Sequence, residues 1–355
     1  MKVIHVRNVQ QALPEGIRSI LIEGIPRESR NGPVLAFDTP VTTVYENPRE
    51  RVIFHPERDA NPFFHLVESL WMLDGRNDVE SLAFFVERMR SFSDDGTTFH
   101  GAYGHRWRYQ FGGDQLTKII AALKADKTDR RQVLSMWDAR TDLGRVGKDL
   151  PCNLQAVFQI TASGHLDMMV TNRSNDMIWG AYGANAVHFS YLHEFIATAV
   201  DVEVGRYRQV SANFHAYTDV LEKVKSLGEM AEDIYDPYRS RRNDPYFRGE
   251  VEPYPLMSIE PERWLAELRI FLSEGPVMGL RDPFFRRVAT PVVRAYQLYK
   301  SEKGAARYDK AIEALADCAA TDWRKACVEW IERRRAAAEE RARRERAKDD
   351  GPAYE

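Results

Sequence analysis

Two adjoining stretches constrain the fold more than anything else in this 355-residue chain: LQAVFQITAS and HLDMMVTNR, joined at Gly164-His165. Both read as long strands, and so short a polar link favours a hairpin, so they are expected to pair antiparallel. A mostly apolar helix is expected next, at about Ala186–Val200, then a strand at Tyr207–Phe214 and a helix from about Tyr217. Antiparallel strands mixed with packed helices make an α+β chain with a mixed sheet, and argue against an alternating doubly wound one.

Upstream, the alternation in VLAFDTPVTTVY predicts short edge strands between Ile17 and about Phe54. Asn61-Pro62 then opens a helix over FFHLVESLWML that stops at Asp74-Gly75. A second helix is expected at about Val79–Ser91, a third from Asp114-Gln115 over LTKIIAALKA, and a strand at QVLSMW. Beyond about Asp233 a stretch rich in Pro, Tyr and charge reads as an ordered loop or linker. We expect a main unit over 1–258, a helical extension over 259–335, and a charged, solvated or disordered tail over 336–355.

Apolar residues form 44% of the chain and charged residues 29%, which excludes a disordered or fibrous protein. Fifty Lys and Arg against 53 Asp and Glu leave a net charge of −3, so nothing suggests a nucleic-acid or membrane binder. With no signal-type apolar segment at the N-terminus and no membrane-span run, a cytoplasmic protein is expected. The cysteines at 152, 318 and 327 form neither a disulfide framework nor a metal motif, leaving three free thiols.

Cys152 stands out because Pro151 precedes it and a strand follows, a position that presents a thiol at the mouth of a cleft. An isolated cysteine is more often a buried apolar residue. Here Arg130, Arg131 and Arg173 lie on the flanking segments, and nearby guanidinium charge lowers a thiol pKa toward the nucleophilic thiolate.

Several segments taken together resemble the thymidylate synthase family, which includes the nucleotide hydroxymethylases. They are ESLWMLDG with Glu68, GAYGHRWR with Tyr103 and Trp107, and DQLTKIIAALKADKTDRRQVLSMWD with Arg130 and Arg131. DLPC with Cys152, NRSND with Arg173, Ser174 and Asp176, then Gly180, Asn185, the DVEVG run and HAY with His215 and Tyr217 complete the set. These motifs keep the family's order over about Arg30 to Tyr217.

The resemblance implies a thymidylate synthase-like fold and a homodimer acting on a pyrimidine nucleoside monophosphate with 5,10-methylenetetrahydrofolate and no metal. Cys152 would add to C6 of the base, which makes C5 nucleophilic. Glu68 would be the general acid/base, and Tyr103 would join the water network around the base. Arg30, Arg173 and Ser174 would hold the phosphate, with Arg130 and Arg131 donated by the other subunit. Asp176 and Gly180 would serve the folate, Asn185 the base, and His215 with Tyr217 the sugar 3′-hydroxyl.

The sequence departs from the family's pattern in three places, the last two of which bear on the product. Asn153 follows the nucleophile where the family has His, Ser81–Gly101 contains no Trp, and the family's short apolar C-terminus is replaced by helix and charge. Without a shielding indole, water can capture the exocyclic methylene to give a hydroxymethyl group, as in the bacteriophage hydroxymethylases. One extra residue occurs in GAYGANAVHF. Placed before Asn185, it leaves that amide to read uracil; placed after, Ala184 faces the base and His188 becomes a candidate contact. The spacing from Asn185 through the DVEVG run to His215 matches the family's, which places the extra residue before Asn185 and favours deoxyuridylate over deoxycytidylate. The alternatives are a thymidylate synthase with unusual closure and, from another class, an inactive binding or assembly relative.

Overall fold

At φ +80°, Gly164 turns strand β6 (Asn153–Ile160) into β7 (His165–Asn172), and the pair is antiparallel, with Phe158 opposite Met168. The computed structural model describes residues 1–232, 235, 236 and 238–349. The hairpin belongs to a six-stranded sheet ordered β1 (Lys2–Val6), β4 (Val41–Tyr45), β9 (Glu203–Ser211), β7, β6 and β5 (Val133–Ser135). β1 with β4 and β9 with β7 run parallel, and the remaining pairs are antiparallel. A smaller sheet of β2 (Ile25–Arg27), β3 (Val34–Ala36), β10 (Phe214–Tyr217) and β8 (Asn175–Asp176) sets Asp176 beside His215. This is the mixed-sheet α+β architecture that the sequence predicts.

Two helices, Pro62–Asp74 and Asn185–Val200, are buried on nearly every side and pack on each other inside the core. The first is capped by the Asn61 side chain, which accepts the Phe64 N–H, and it ends at Gly75. Gln115–Ala125 starts at Asp114, whose carboxylate accepts the Thr117 N–H, and buries the stripe Leu116, Ile119 and Leu123.

Three elements differ from expectation. The segment Val79–Ser91 is not one helix: Val79–Ala83 is followed by a 3₁₀ turn at Glu87–Phe92. Phe85 stacks on Tyr296 at 4.8 Å, and its carbonyl accepts the Tyr296 hydroxyl (2.7 Å), which withdraws that backbone from a helical ladder. Ile17 lies in a helix, Val9–Glu23, capped by Asn8, with Pro14 inside it. Within that stretch strand structure begins only at Ile25, and β4 is interior because β1 adds an outer strand. The strand expected at Tyr207–Phe214 is two strands, since the chain leaves β9 at Ser211 and enters the smaller sheet at Phe214.

The segment from Ile259 onward is helical, with Pro261–Glu274, Thr290–Ser301, Ala306–Leu315 and Thr321–Asp349. Trp264 packs on Phe195 (5.6 Å), Trp323 on Tyr191 (6.2 Å) and Trp330 on Phe63 (5.5 Å), so these helices share the core of the sheet. The charged run continues the last helix to Asp349, while 350–355 lie outside the described residues. So do Asp233, Ile234 and Pro237 of the expected linker.

Candidate active site

The loop that carries Cys152 is pinned from two sides. The Tyr103 hydroxyl accepts the N–H groups of Cys152 (2.9 Å) and Asn153 (3.1 Å). Arg173, just past β7, donates from Nε to the Pro151 carbonyl (2.9 Å) and from Nη2 to the Leu150 carbonyl (3.3 Å). Its own N–H donates to the Cys152 carbonyl (2.9 Å). Such fixing orients the thiol before any substrate arrives.

The expected electrostatics need correction. Burial pushes the Cys152 thiol above its ordinary range, and the opposing fields of Arg173 and Arg30 do not outweigh it, with Asp149 adding to the rise. Arg130 and Arg131 are not among the charges acting on the thiol. Both are exposed at the turn before β5, where Arg131 grips Asp129 through Nε and Nη2, each at 2.9 Å. Arg30 is exposed and reaches the Gly147 carbonyl at 3.5 Å. Ser174, half-buried, follows Arg173. Cys318, in the connection before the last helix, and Cys327, within that helix, are both buried, and burial pushes both thiols up, Cys318 to about 12.

Glu68 projects from Pro62–Asp74 toward His188 on Asn185–Val200, with Oε2 and Nε2 3.0 Å apart. The His188 ring meets that of His65 edge-on at 6.2 Å, and burial holds His65 well below the usual histidine range, hence neutral.

Asp176 caps the irregular helix that follows it, its Oδ1 accepting the Trp179 N–H at 2.6 Å. Its Oδ2 is buried without a hydrogen-bond partner among the described residues, and burial raises its pKa. Beside it, His215 Nδ1 lies 2.9 Å from Asn213 Oδ1, and its ring stands edge-on to Tyr217 at 5.5 Å. Such an orphaned acceptor fits a ligand with ring N–H and amino donors, as a pterin has.

The helix break at Tyr182 and Gly183, with φ −105° and −137°, lies just before Asn185, which opens the long buried helix. Asn185 Nδ2 donates to Asn175 Oδ1 (3.1 Å), and its Oδ1 accepts from Asn153 Nδ2 (3.4 Å). Gly180 is required there, because a Cβ on it would lie 2.6 Å from Asn175 Oδ1.

Sequence reasoning passed over Arg58 and Trp179. Trp179 is 51% exposed and its ring carries the Arg58 guanidinium over its face at 4.0 Å, while Arg58 Nε donates to the Ile178 carbonyl (3.0 Å). Burial brings Arg58 down to about 10 despite Asp176 and Asp59 nearby. Trp179 stands three residues after Asp176 and was within reach of the motif; nothing local marks Arg58.

A family model for thymidylate synthase matches residues 15–234. Over all 355 residues, and all of the relative, the chain is 65% identical to the deoxyuridylate hydroxymethyltransferase of Pseudomonas phage M6. It is 35% identical over 261 residues to the deoxyuridylate hydroxymethyltransferase of Bacillus phage SP01, covering 70% of this chain and 66% of that one. Similarity to the thymidylate synthase of Streptococcus suis is 30% over 205 residues, or 55% of this chain and 71% of that one.

Proposed function

Because this chain belongs to the thymidylate synthase family, we propose that it makes 5-hydroxymethyldeoxyuridylate from deoxyuridylate and 5,10-methylenetetrahydrofolate. The observation that carries this reading is the 65% identity to a phage hydroxymethyltransferase over the full length of both chains, the C-terminal helices included. The match to a synthase covers little more than half of this chain.

Cys152 is the nucleophile that adds to C6 of the base, and the grip of Tyr103 and Arg173 on its loop supports that role. Because burial raises the free thiol, Sγ must give up its proton before it bonds to C6, and the Arg173 and Arg30 charges favour that loss. Glu68, paired with His188, moves protons to and from the base. The folate supplies a one-carbon unit at the oxidation level of formaldehyde. Asp176, through its unpaired Oδ2, and Gly180 hold the pterin, and His215 with Tyr217 holds the sugar.

Arg173, Ser174 and Arg30 bind the phosphate, and in a homodimer Arg130 and Arg131 complete the partner's phosphate site. Their exposure is in keeping with that part. Asn185 reads uracil, which the backbone irregularity before it and its fixed amide support. No helix among the described residues is long and apolar enough to cross a membrane, and we place the enzyme in the cytoplasm with its nucleotide and folate.

Mass analysis of the product tests the reading. A nucleotide heavier than deoxyuridylate by a hydroxymethyl group, formed without stoichiometric dihydrofolate, is expected. Dihydrofolate appearing one for one with a methylated product overturns it in favour of a synthase.

A further inference from the structure

Behind Asn185 the buried side-chain amides are strung head to tail. Asn172 Nδ2 donates to Asn153 Oδ1, and Asn153 Nδ2 to Asn185 Oδ1 (3.4 Å). Asn185 Nδ2 donates to Asn175 Oδ1 (3.1 Å), and Asn175 Nδ2 to Gln209 Oε1, with Ser211 Oγ as a second acceptor (3.1 Å). Gln209 Nε2 ends the row on the Ala181 main-chain carbonyl (3.4 Å) and the Tyr207 hydroxyl (2.9 Å).

A side-chain amide can turn over and exchange its donor and acceptor ends, but in such a row one reversal sets oxygen against oxygen on one side and N–H against N–H on the other. The row therefore has two collective states, and whatever cannot turn over chooses between them. Asn185 and Asn175 are flanked by other amides, and the Ser211 hydroxyl rotates to suit either state. The Ala181 carbonyl cannot reverse: it only accepts, and it already accepts from the Tyr45 hydroxyl (3.1 Å). It requires Gln209 to present Nε2, hence Oε1 to Asn175, hence Asn175 Oδ1 to Asn185. Gln209 and Asn175 are both buried, so a mismatched pair there has no water to turn to.

We infer that Gln209, anchored on the Ala181 carbonyl and acting through Asn175, is a positioning residue that fixes the Asn185 amide in the orientation that selects uracil over cytosine. In that orientation the second Nδ2 proton of Asn185 meets the uracil O4, and the second Oδ1 lone pair meets N3–H. Cytosine offers the reverse pattern, an amino group and an unprotonated N3, and accepting it means reversing the whole row against Ala181. The inference rests on the reading that Asn185 faces the base.

The test compares kcat/KM for deoxyuridylate and deoxycytidylate in the full-length enzyme and four variants. Gln209→Met keeps the side chain's length but removes the anchor, and the preference for deoxyuridylate should narrow by about tenfold or more. Asn175→Ala breaks the row one link nearer the base and should narrow it likewise, so the test does not depend on one variant folding. Gln209→Glu should keep the wild-type preference at a pH where the buried carboxyl is protonated, since its O–H then donates to the Ala181 carbonyl while its other oxygen accepts from Asn175. A general packing defect would lower both substrates together and leave the ratio unchanged. Asn185→Asp separates the two ideas. If it moves the preference toward deoxycytidylate while Gln209→Met and Asn175→Ala keep the wild-type ratio, the relay is overturned and the reading of Asn185 stands. If Asn185→Asp itself leaves the ratio unchanged, Asn185 does not read the base and the inference falls with it.

Discussion

His188 Nε2 and Glu68 Oε2 approach to 3.0 Å across the two buried helices Pro62–Asp74 and Asn185–Val200. Both atoms are buried, and neither makes a well-aligned hydrogen bond among the described residues. A carboxylate held this way keeps its reactive oxygen directed while a proton moves. Glu68→Gln should lower kcat by roughly 10²–10⁴-fold, the usual weight of a general acid/base. His188→Phe should lower kcat less, with the KM for deoxyuridylate nearly unchanged. Steady-state kinetics check both, and equal kcat for His188→Phe and wild type would reduce the contact to packing.

Cys152→Ser should abolish turnover while nucleotide still binds, because the Tyr103 and Arg173 contacts that shape the loop are to backbone atoms and survive the substitution. Cys318→Ser and Cys327→Ser should keep kcat but lower stability by about 1 kcal/mol each, since a buried hydroxyl needs a partner that an apolar thiol does not. Release of tritium from C5-labelled deoxyuridylate measures the first, and thermal unfolding the second.

Mixed dimers probe the two exposed arginines. Arg131→Ala and Cys152→Ser chains, each inactive alone, should regain activity after subunit exchange, because one site of the heterodimer then holds both intact residues. Absence of recovery after verified exchange would take Arg131 out of the partner's site.

How much was legible in the sequence follows from the range of each signal. Gly164, the Asn61 cap and the Asp114 cap act within a few residues, so the hairpin and two helices could be read directly. The break in Val79–Ser91 depends on Tyr296, 211 residues away, and no local pattern announces it. The same holds in the site. Cys152, Arg173 and Asp176 sit in contiguous motifs, whereas Arg58 on Trp179 arises only when distant elements meet. The rise in the Cys152 pKa was missed because sequence shows which charges are near but not how deeply the thiol is buried.

Asp322 gives a pH dependence whose sign can be worked out. Buried against Tyr246, whose hydroxyl donates to Oδ2 at 2.9 Å, its carboxyl is raised by burial to about 6. The folded state thus holds this proton more tightly than the unfolded chain. The group's stabilising share is complete below about pH 4 and is lost as pH rises through 6. Two pKa units correspond to about 3 kcal/mol. Urea midpoints of wild type and Asp322→Asn, measured from pH 4 to 8, should diverge over that interval, with the wild type losing ground as pH rises. Parallel curves would mean that Asp322 does not titrate there.

The final helix is tied to the Trp179 edge of the site, where we propose that the folate binds, through Asp59, a non-glycine residue at φ +47°. Arg333 Nε donates to its Oδ1 at 3.1 Å and Arg334 Nη2 to its Oδ2 at 2.7 Å, while the Arg334 guanidinium lies over Trp330 at 3.9 Å. The neighbouring Arg58 stacks on Trp179, three residues from Asp176. Exposed ion pairs of this kind contribute less than about 1 kcal/mol each, so their loss should barely move the melting temperature. What it should change is the placement of Arg58 and Trp179. Asp59→Asn tests this cleanly, because Asn also tolerates left-handed backbone and the substitution removes charge without disturbing the turn. The KM for methylenetetrahydrofolate should rise several-fold while that for deoxyuridylate stays constant. Arg341→Glu, on the exposed run beyond the contact, should leave both constants unchanged. An unchanged folate KM in Asp59→Asn would show that the C-terminal helix supports the core at Phe63 and nothing beyond it.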